Sequence, residues 1–140
     1  MISFLYLSFI IKLNSTTTKQ VAEKFVNLCK EGKHDEAYGM YAENAVSEEM
    51  PGIPNHITSG KENILKQFQQ WSESVEEMHG GSVGEPIVAG NHFVVPMSMD
   101  ATFKDRGRQQ MNELCVYQVE NDQITRATYH YQLPDMGQGM

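Results

Sequence analysis

The chain has 140 residues, enough for one domain around one hydrophobic core and too few for two catalytic domains facing a cleft. Lys and Arg number 11 and Asp and Glu 18, a net charge of −7, which excludes the positive surplus that duplex nucleic acid demands. A hydrophobic fraction of 40% with a full set of aromatics excludes a disordered chain.

Ile2 to Leu13 is almost wholly apolar. A membrane-spanning helix needs about 20 such residues, so this run is too short to cross. A secretory signal carries its basic residues first and small residues at a cleavage point; here Lys12 closes the run and no Ala-x-Ala follows. The segment reads as a non-native or over-extended start, or as an accessory piece docked on the fold, ahead of a weak membrane anchor. The chain divides into an apolar tail 1–16, a domain 17–133 and a C-terminal tail 134–140.

Thr17 and Gln20 have the spacing of a capping box, and Val21, Phe25, Val26, Leu28 and Cys29 then recur at helical steps until Gly32. A second helix is predicted from Asp35 to Glu43, with Ala37, Met40 and Tyr41 on its apolar side. Met50-Pro51-Gly52-Ile53-Pro54 is a loop. Ser59 and Glu62 suggest another capping box, followed by the clearest helical stripe, Ile64, Leu65, Phe68, Trp71 and Val75.

Beyond Met78 the period changes. Gly80, Gly81 and Gly84 punctuate the chain, and strands are predicted over Pro86–Ala89, Phe93–Phe103, Glu113–Val119 and Ile124–Leu133. The turn signals between them are short, so successive strands must be antiparallel. Helices first and strands afterwards indicate an α+β domain whose sheet covers the helices with one face. Cys29 and Cys115 lie far apart among apolar neighbours, as buried free thiols of a reducing cytosol rather than a disulfide framework.

Four stretches in this order resemble the SnoaL-like branch of the nuclear transport factor 2-like superfamily. They are Tyr41-Ala42-Glu43-Asn44-Ala45-Val46, Gly60-Lys61-Glu62-Asn63-Ile64, Val88 to Val95, and Val116-Tyr117-Gln118-Val119-Glu120-Asn121-Asp122-Gln123-Ile124. The resemblance covers about residues 17–133. It implies a cone-shaped α+β barrel (cystatin-like), with N-terminal helices packed in a curved antiparallel sheet around a pocket. The family includes ketosteroid isomerase, polyketide cyclase, limonene epoxide hydrolase and non-catalytic binders, so the fold alone does not assign a reaction.

Asp100 is the first candidate catalytic residue. Alternation places it with Ser98 and Thr102, opposite Met97, Met99, Ala101 and Phe103. A carboxylate inside a strand must be solvated, paired or used. The resemblance aligns Asp100 with a strand carboxylate that epoxide hydrolases place in the pocket; a polar face turned to water is the alternative. A two-residue turn at Arg106-Gly107 would set Glu113 opposite Asp100, about 5 Å away, and raise one pKa of the pair. Tyr129 and Tyr131 end the last strand, as oxyanion donors or as amphipathic wall. The family pattern is broken there: Tyr129 stands where epoxide hydrolases have their acid or base, and Gln132 where relatives often have Asp.

His56, near the expected pocket mouth, and His130 are acid–base candidates on the strength of histidine's near-neutral pKa, with a plain loop or surface role as the alternative. Tyr41, Met50, His56, Phe68, Trp71, Ser98, Thr102 and Tyr131 are the expected ligand-pocket residues; for the methionines and rings, ordinary core is the other reading. No histidine spacing suggests a metal and no glycine pattern a dinucleotide, so no cofactor is expected.

The expected activity is a cofactor-independent isomerase, cyclase or hydrolase acting on a small apolar molecule, in the cytoplasm. A non-catalytic ligand-binding or dimerisation module is the alternative, and a protein-interaction domain a third. Leu114, Val116 and Met99 are expected on the sheet face away from Asp100, as a homodimer interface. No nucleic acid or membrane partner is expected.

Overall fold

The computed structural model describes residues 18–133. The tails 1–16 and 134–140, and Thr17 of the first capping box, lie outside the described residues.

Helix α1 (18–30) buries Val21, Ala22, Phe25 and Val26 and exposes Glu23, Lys24 and Asn27. Its end is a Schellman motif: Gly32 sits at φ 74°, with Gly32 N–H bonded to Cys29 O and Lys33 N–H to Leu28 O. Helix α2 (His34–Gly39) is shorter than the predicted Asp35–Glu43. Tyr41 leaves the helix because its backbone is claimed by a sheet: strand β1 (Tyr41–Glu48) pairs with β7, in register Tyr41 with Ile124. β2 (Ile57–Ser59) pairs with β1. Helix α3 (Lys61–Glu73) starts from Gly60 at φ 94° with no side-chain cap, so the expected Ser59–Glu62 box does not form; Ser59 is spent in β2.

β3 (Val75–Val83), β4 (Ile87–Ala89), β5 (His92–Phe103), β6 (Gly107–Glu120) and β7 (Gln123–His130) complete one seven-stranded sheet in the order β2-β1-β7-β6-β5-β3, with β4 also on β5. The sheet curls around the helices without closing into a barrel. Every pairing is antiparallel except β1 with β7. Asn121 and Asp122, at φ 51° and 63°, form the predicted tight turn between β6 and β7.

The core lies between α1 and the inner sheet face. Phe25 meets Tyr117 and Phe93 at ring-centroid distances of 4.7 and 6.0 Å, and Phe93 stacks on Tyr117 at 4.8 Å. Val95, Ala101 and Phe103 of β5, Cys115 and Val119 of β6, and Ile124 and Ala127 of β7 are buried on the same side.

The β5–β6 hairpin decides the site. Its loop is the three residues Lys104, Asp105 and Arg106, followed by Gly107 at φ 77°. Three-residue hairpin loops characteristically close with a left-handed residue, which glycine supplies. Phe103 therefore pairs with Gly107, Asp100 with Gln110 and Met97 with Glu113. This corrects the two-residue turn and the Asp100–Glu113 pairing expected from sequence. The register differs by three residues, an odd number, so the two carboxylates point to opposite faces.

Candidate active site

Asp100 lies on the outer face. Arg108 binds it with both prongs, Nε to Oδ1 at 2.9 Å and Nη2 to Oδ2 at 2.8 Å, and Gln110 adds a longer contact. This bonding, chiefly the Arg108 guanidinium, holds the Asp100 pKa down at about 2. A carboxylate so held is a weak base, and it faces away from the helices. Its expected place in the interior pocket is corrected. Ser98 and Thr102 share this outer face and are engaged there, Ser98 Oγ with Ser82 Oγ at 2.6 Å and Thr102 Oγ1 with His79 Nε2 at 2.7 Å. They are not interior pocket residues. His130, also outer, contacts Thr128 at 3.3 Å.

Glu113 points inward, on the side of Cys115 and Tyr117. Cys115 Sγ donates to Glu113 Oε1 at 3.5 Å. Burial raises the Glu113 pKa, and the nearby charge of Glu49 raises it further. The partner carboxylate is thus Glu49, not Asp100. Glu49 follows directly on β1, and its N–H donates to His56 O at 2.6 Å, so the candidate His56 meets the site through its backbone. Tyr131 donates its hydroxyl proton to Glu49 Oε1 at 2.8 Å. Burial also raises Glu49, while this bond pulls it back down. The backbone of Met50 reaches the Tyr131 hydroxyl as well, which places Met50 beside the pair by its main chain.

Burial is the main cause of the raised pKa of every inner phenol and thiol. Tyr129 and Tyr41 meet hydroxyl to hydroxyl at 3.4 Å. Tyr38, Tyr41, Tyr117 and Tyr129 are all displaced upward and remain proton donors at neutral pH. Cys29 is pushed up to about 11 and Cys115 higher, so both are thiols rather than nucleophilic thiolates. Tyr38 continues a run of rings: it lies 5.2 Å from Tyr41 and 5.0 Å from Phe68, and Phe68 lies 6.0 Å from Trp71. The expected lining residues Tyr41, Phe68 and Trp71 are therefore brought together.

The site thus holds two electrostatically coupled carboxylates, both raised in pKa by burial, and several neutral hydroxyl donors in an aromatic setting. That set can hold and pass a proton on its carboxylates and donate hydrogen bonds to a developing oxyanion. Among the described residues no group of His, Cys, Asp and Glu is arranged to hold a metal ion. Sequence reasoning missed Glu49, Tyr38 and the inward part of Cys115. A signal for Glu49 existed: continuing the alternation from Ala45 and Ser47, both buried, brings Glu49 to the inner face and turns Glu48 outward to its ion pair with Arg126.

A groove of about 440 Å³ runs over Ser82, Ser98, Asn112, Leu114 and His130 and is lined by Met97 and Glu113 as well, so Glu113 borders open space. Leu114 is 50% exposed and Ile87 69% exposed, and the pairings put them on the face that also carries Asp100. Leu114 and Val116 were expected opposite Asp100; instead all three face outward, apolar at one end and polar at the other. Met99 belongs to the inner face.

Among the described residues no helix is long and apolar enough to cross a membrane. A family profile described as a SnoaL-like domain matches residues 16–131. A Mesorhizobium loti protein with the provisional name SnoaL-like polyketide cyclase [carbohydrate phosphatase] is 35% identical, with a TM-score of 0.76 over 80% of this chain and 97% of that one. An NTF2-like protein of unknown function from Burkholderia pseudomallei has a TM-score of 0.68 at 13% identity, covering 83% and 91%. A provisionally named isomerase from Bacillus subtilis has 0.64 at 15%, covering 84% and 87%. The last two likenesses show the fold alone. No curated protein matches this chain.

Proposed function

The chain belongs to the SnoaL-like family, and from that premise we propose that it is a cofactor-independent acid–base enzyme, an isomerase, cyclase or hydrolase of a small apolar substrate. The observation that carries the reading is the inward-facing Glu113, bonded by Cys115, with its pKa raised by burial and by the charge of Glu49. Of the residues expected from sequence, this reading uses Glu113 and Tyr129 and leaves out Asp100, which Arg108 binds on the outer face. Glu113 is the proton carrier, Glu49, bonded by Tyr131, the carboxylate coupled to it, and the Tyr41–Tyr129 pair the oxyanion donor. The cyclase name of the Mesorhizobium loti relative supports a substrate that rearranges through an enolate.

The test is turnover of a panel of enolisable ketones and polyketide-like phenols. Removing a general acid–base group typically costs about 10²–10⁴ in rate. Glu113→Gln should lose that much while ligand binding stays within about tenfold. Equal activity in Glu113→Gln would refute the role.

A second element of the proposal is a homodimer through the outer face, favoured by the exposed Leu114 and Ile87. Light scattering at micromolar concentration should give twice the chain mass, and Leu114→Lys should return it to one. A wild-type monomer would refute this. The two free thiols support a cytoplasmic location.

A further inference from the structure

We propose that Tyr131 and Leu133, just beyond β7, form a two-point latch that positions Glu49 and the loop that follows it. The functional meaning of the latch rests on the acid–base reading given above, which includes Glu49, but its test needs no substrate.

The loop itself is the first observation. Glu49 follows directly on β1, and Met50-Pro51-Gly52-Ile53-Pro54-Asn55-His56 carries the chain on to β2. The loop folds back on itself through Glu49 N–H to His56 O at 2.6 Å and Ile53 N–H to Met50 O at 3.2 Å. Pro51 and Pro54 have no N–H to give to a neighbouring strand. Gly52 and Asn55 stand at φ 103° and 56°, outside the conformations of helix and sheet. Such a loop is held by what packs on it. The Glu49 carboxyl, at the end of a side chain with several rotamers, likewise has a fixed direction only if something binds it.

Two separate contacts supply this from the chain beyond β7. β1 and β7 run parallel, with Glu48 opposite Thr128, so both strands deliver their following residues at the same end of the sheet. Tyr131 donates its hydroxyl to Glu49 Oε1 at 2.8 Å. Leu133 lies over Gly52: a Cβ placed on that glycine would stand 3.6 Å from Leu133 Cδ1, an ordinary packing distance. Tyr131 and Leu133 are half-buried and Gln132 between them is exposed, so alternate side chains face the loop. One point holds the carboxyl and the other holds the backbone three residues on. With Oε1 held, Oε2 keeps one direction. The Tyr131 bond also favours the carboxylate form of Glu49, against the effect of burial. Glu113 of β6 and the Tyr38 and Tyr41 hydroxyls are the other titratable groups within electrostatic reach of Glu49, and the variants below leave them in place.

Two variants of the full chain, Tyr131→Phe and Leu133→Ala, test the two points with two readouts. Carboxyl-carbon NMR follows the titration of Glu49, and amide hydrogen exchange follows the bonded Glu49 and Ile53 N–H groups. Tyr131→Phe removes one hydroxyl bond to the carboxylate, so Glu49 should bind its proton about three- to tenfold more tightly. Leu133→Ala keeps that bond but loosens its seating, so Glu49 should move in the same direction by less. In both variants the Glu49 and Ile53 amides should exchange about tenfold faster, while the amides of β5 and β6 stay at the wild-type rate. If Tyr131→Phe does not fold, Leu133→Ala carries both readouts. Proton affinity of Glu49 within about twofold of wild type in Tyr131→Phe would overturn the latch, since one net hydrogen bond is worth more than that. Leu133→Ala without effect on either readout would overturn it too, and so would equal acceleration in the loop and in β5 and β6, which is global loosening. None of these results depends on turnover: the Glu113→Gln assay can fail with the latch intact, and the latch can fail with that assay intact.

Discussion

The Tyr41–Tyr129 hydroxyl pair gives the most direct measure of whether the site excludes water. Tyr41 is 1% exposed, and its hydroxyl meets that of Tyr129 at 3.4 Å. Replacing either by Phe removes one oxygen and leaves the other hydroxyl in the interior without its partner. A buried polar group stripped of its partner costs about 1–3 kcal/mol, whereas removing both partners together can be nearly neutral. The bond is long, so the coupling belongs at the low end of the usual range, about 0.5–1 kcal/mol. Tyr41→Phe and Tyr129→Phe should each lower stability by about 1–2 kcal/mol, and the double variant should lose less than their sum by that coupling. For a domain of this size each kcal/mol moves Tm by about 3–5 °C. Urea unfolding of the four proteins, with unchanged m-values, measures the cycle. Additivity within about 0.3 kcal/mol would mean that water solvates each hydroxyl, and the oxyanion role of the pair would fail with it.

Three further outcomes follow from the same geometry. Glu113 holds its proton more tightly when folded than its ordinary value of 4.5, so stability should fall as pH rises from about 4.5 through the folded value and then level off; Glu113→Gln should lack this decline in urea midpoints taken across pH 4–9. Asp100 has the opposite sign: its folded pKa of about 2 lies below 3.8, so its contribution is present above pH 3.8 and lost as pH falls toward 2, and Asp100→Asn should flatten that acid limb while leaving turnover unchanged. Gly107→Val should cost about 1–2 kcal/mol in urea unfolding, because a branched side chain is placed at φ 77°.

The elements legible in the sequence are those that pack with regular period. The buried faces of α1, β5 and the second half of β6 repeat at 3.6 or 2.0 residues, and so does the half-buried stripe of α3. β1 was missed because a register shift between Tyr41 and Val46 breaks its alternation; Tyr41 and Ala42 are buried in succession, which looks helical. β3 was missed because it is an exposed edge strand, rich in Glu and Gly and twice shifted in register against β5. The first half of β6 was missed because it lies beyond the reach of β7, where solvent permits Arg108, Gln109 and Gln110. The site followed the same rule. Glu113 was legible as one of two carboxylates in strands; its partner was not, because Glu48-Glu49 reads as a solvated acidic pair unless the alternation of β1 is known.

The face of Asp100 was nevertheless decidable from the sequence, and the deciding information lies far from the turn. Directly opposed residues in an antiparallel pair share a face. Under the two-residue turn Phe103 would oppose Gln110, Ala101 would oppose Asn112, Val95 would oppose Gln118 and Cys115 would oppose Ser98, so each buried residue would force a polar one into the core. Under the three-residue loop Val95 opposes Cys115 and Phe93 opposes Tyr117, and all four are buried. Burial of a large apolar side chain stabilises by about 1.5–3 kcal/mol, far more than two competing turns of ordinary composition differ. The core of the hairpin therefore selects the loop length, and the loop length sends Asp100 to solvent with Arg108 and Glu113 inward to Glu49. The inward placement of Glu113 in this chain is a consequence of core packing some distance along the same two strands.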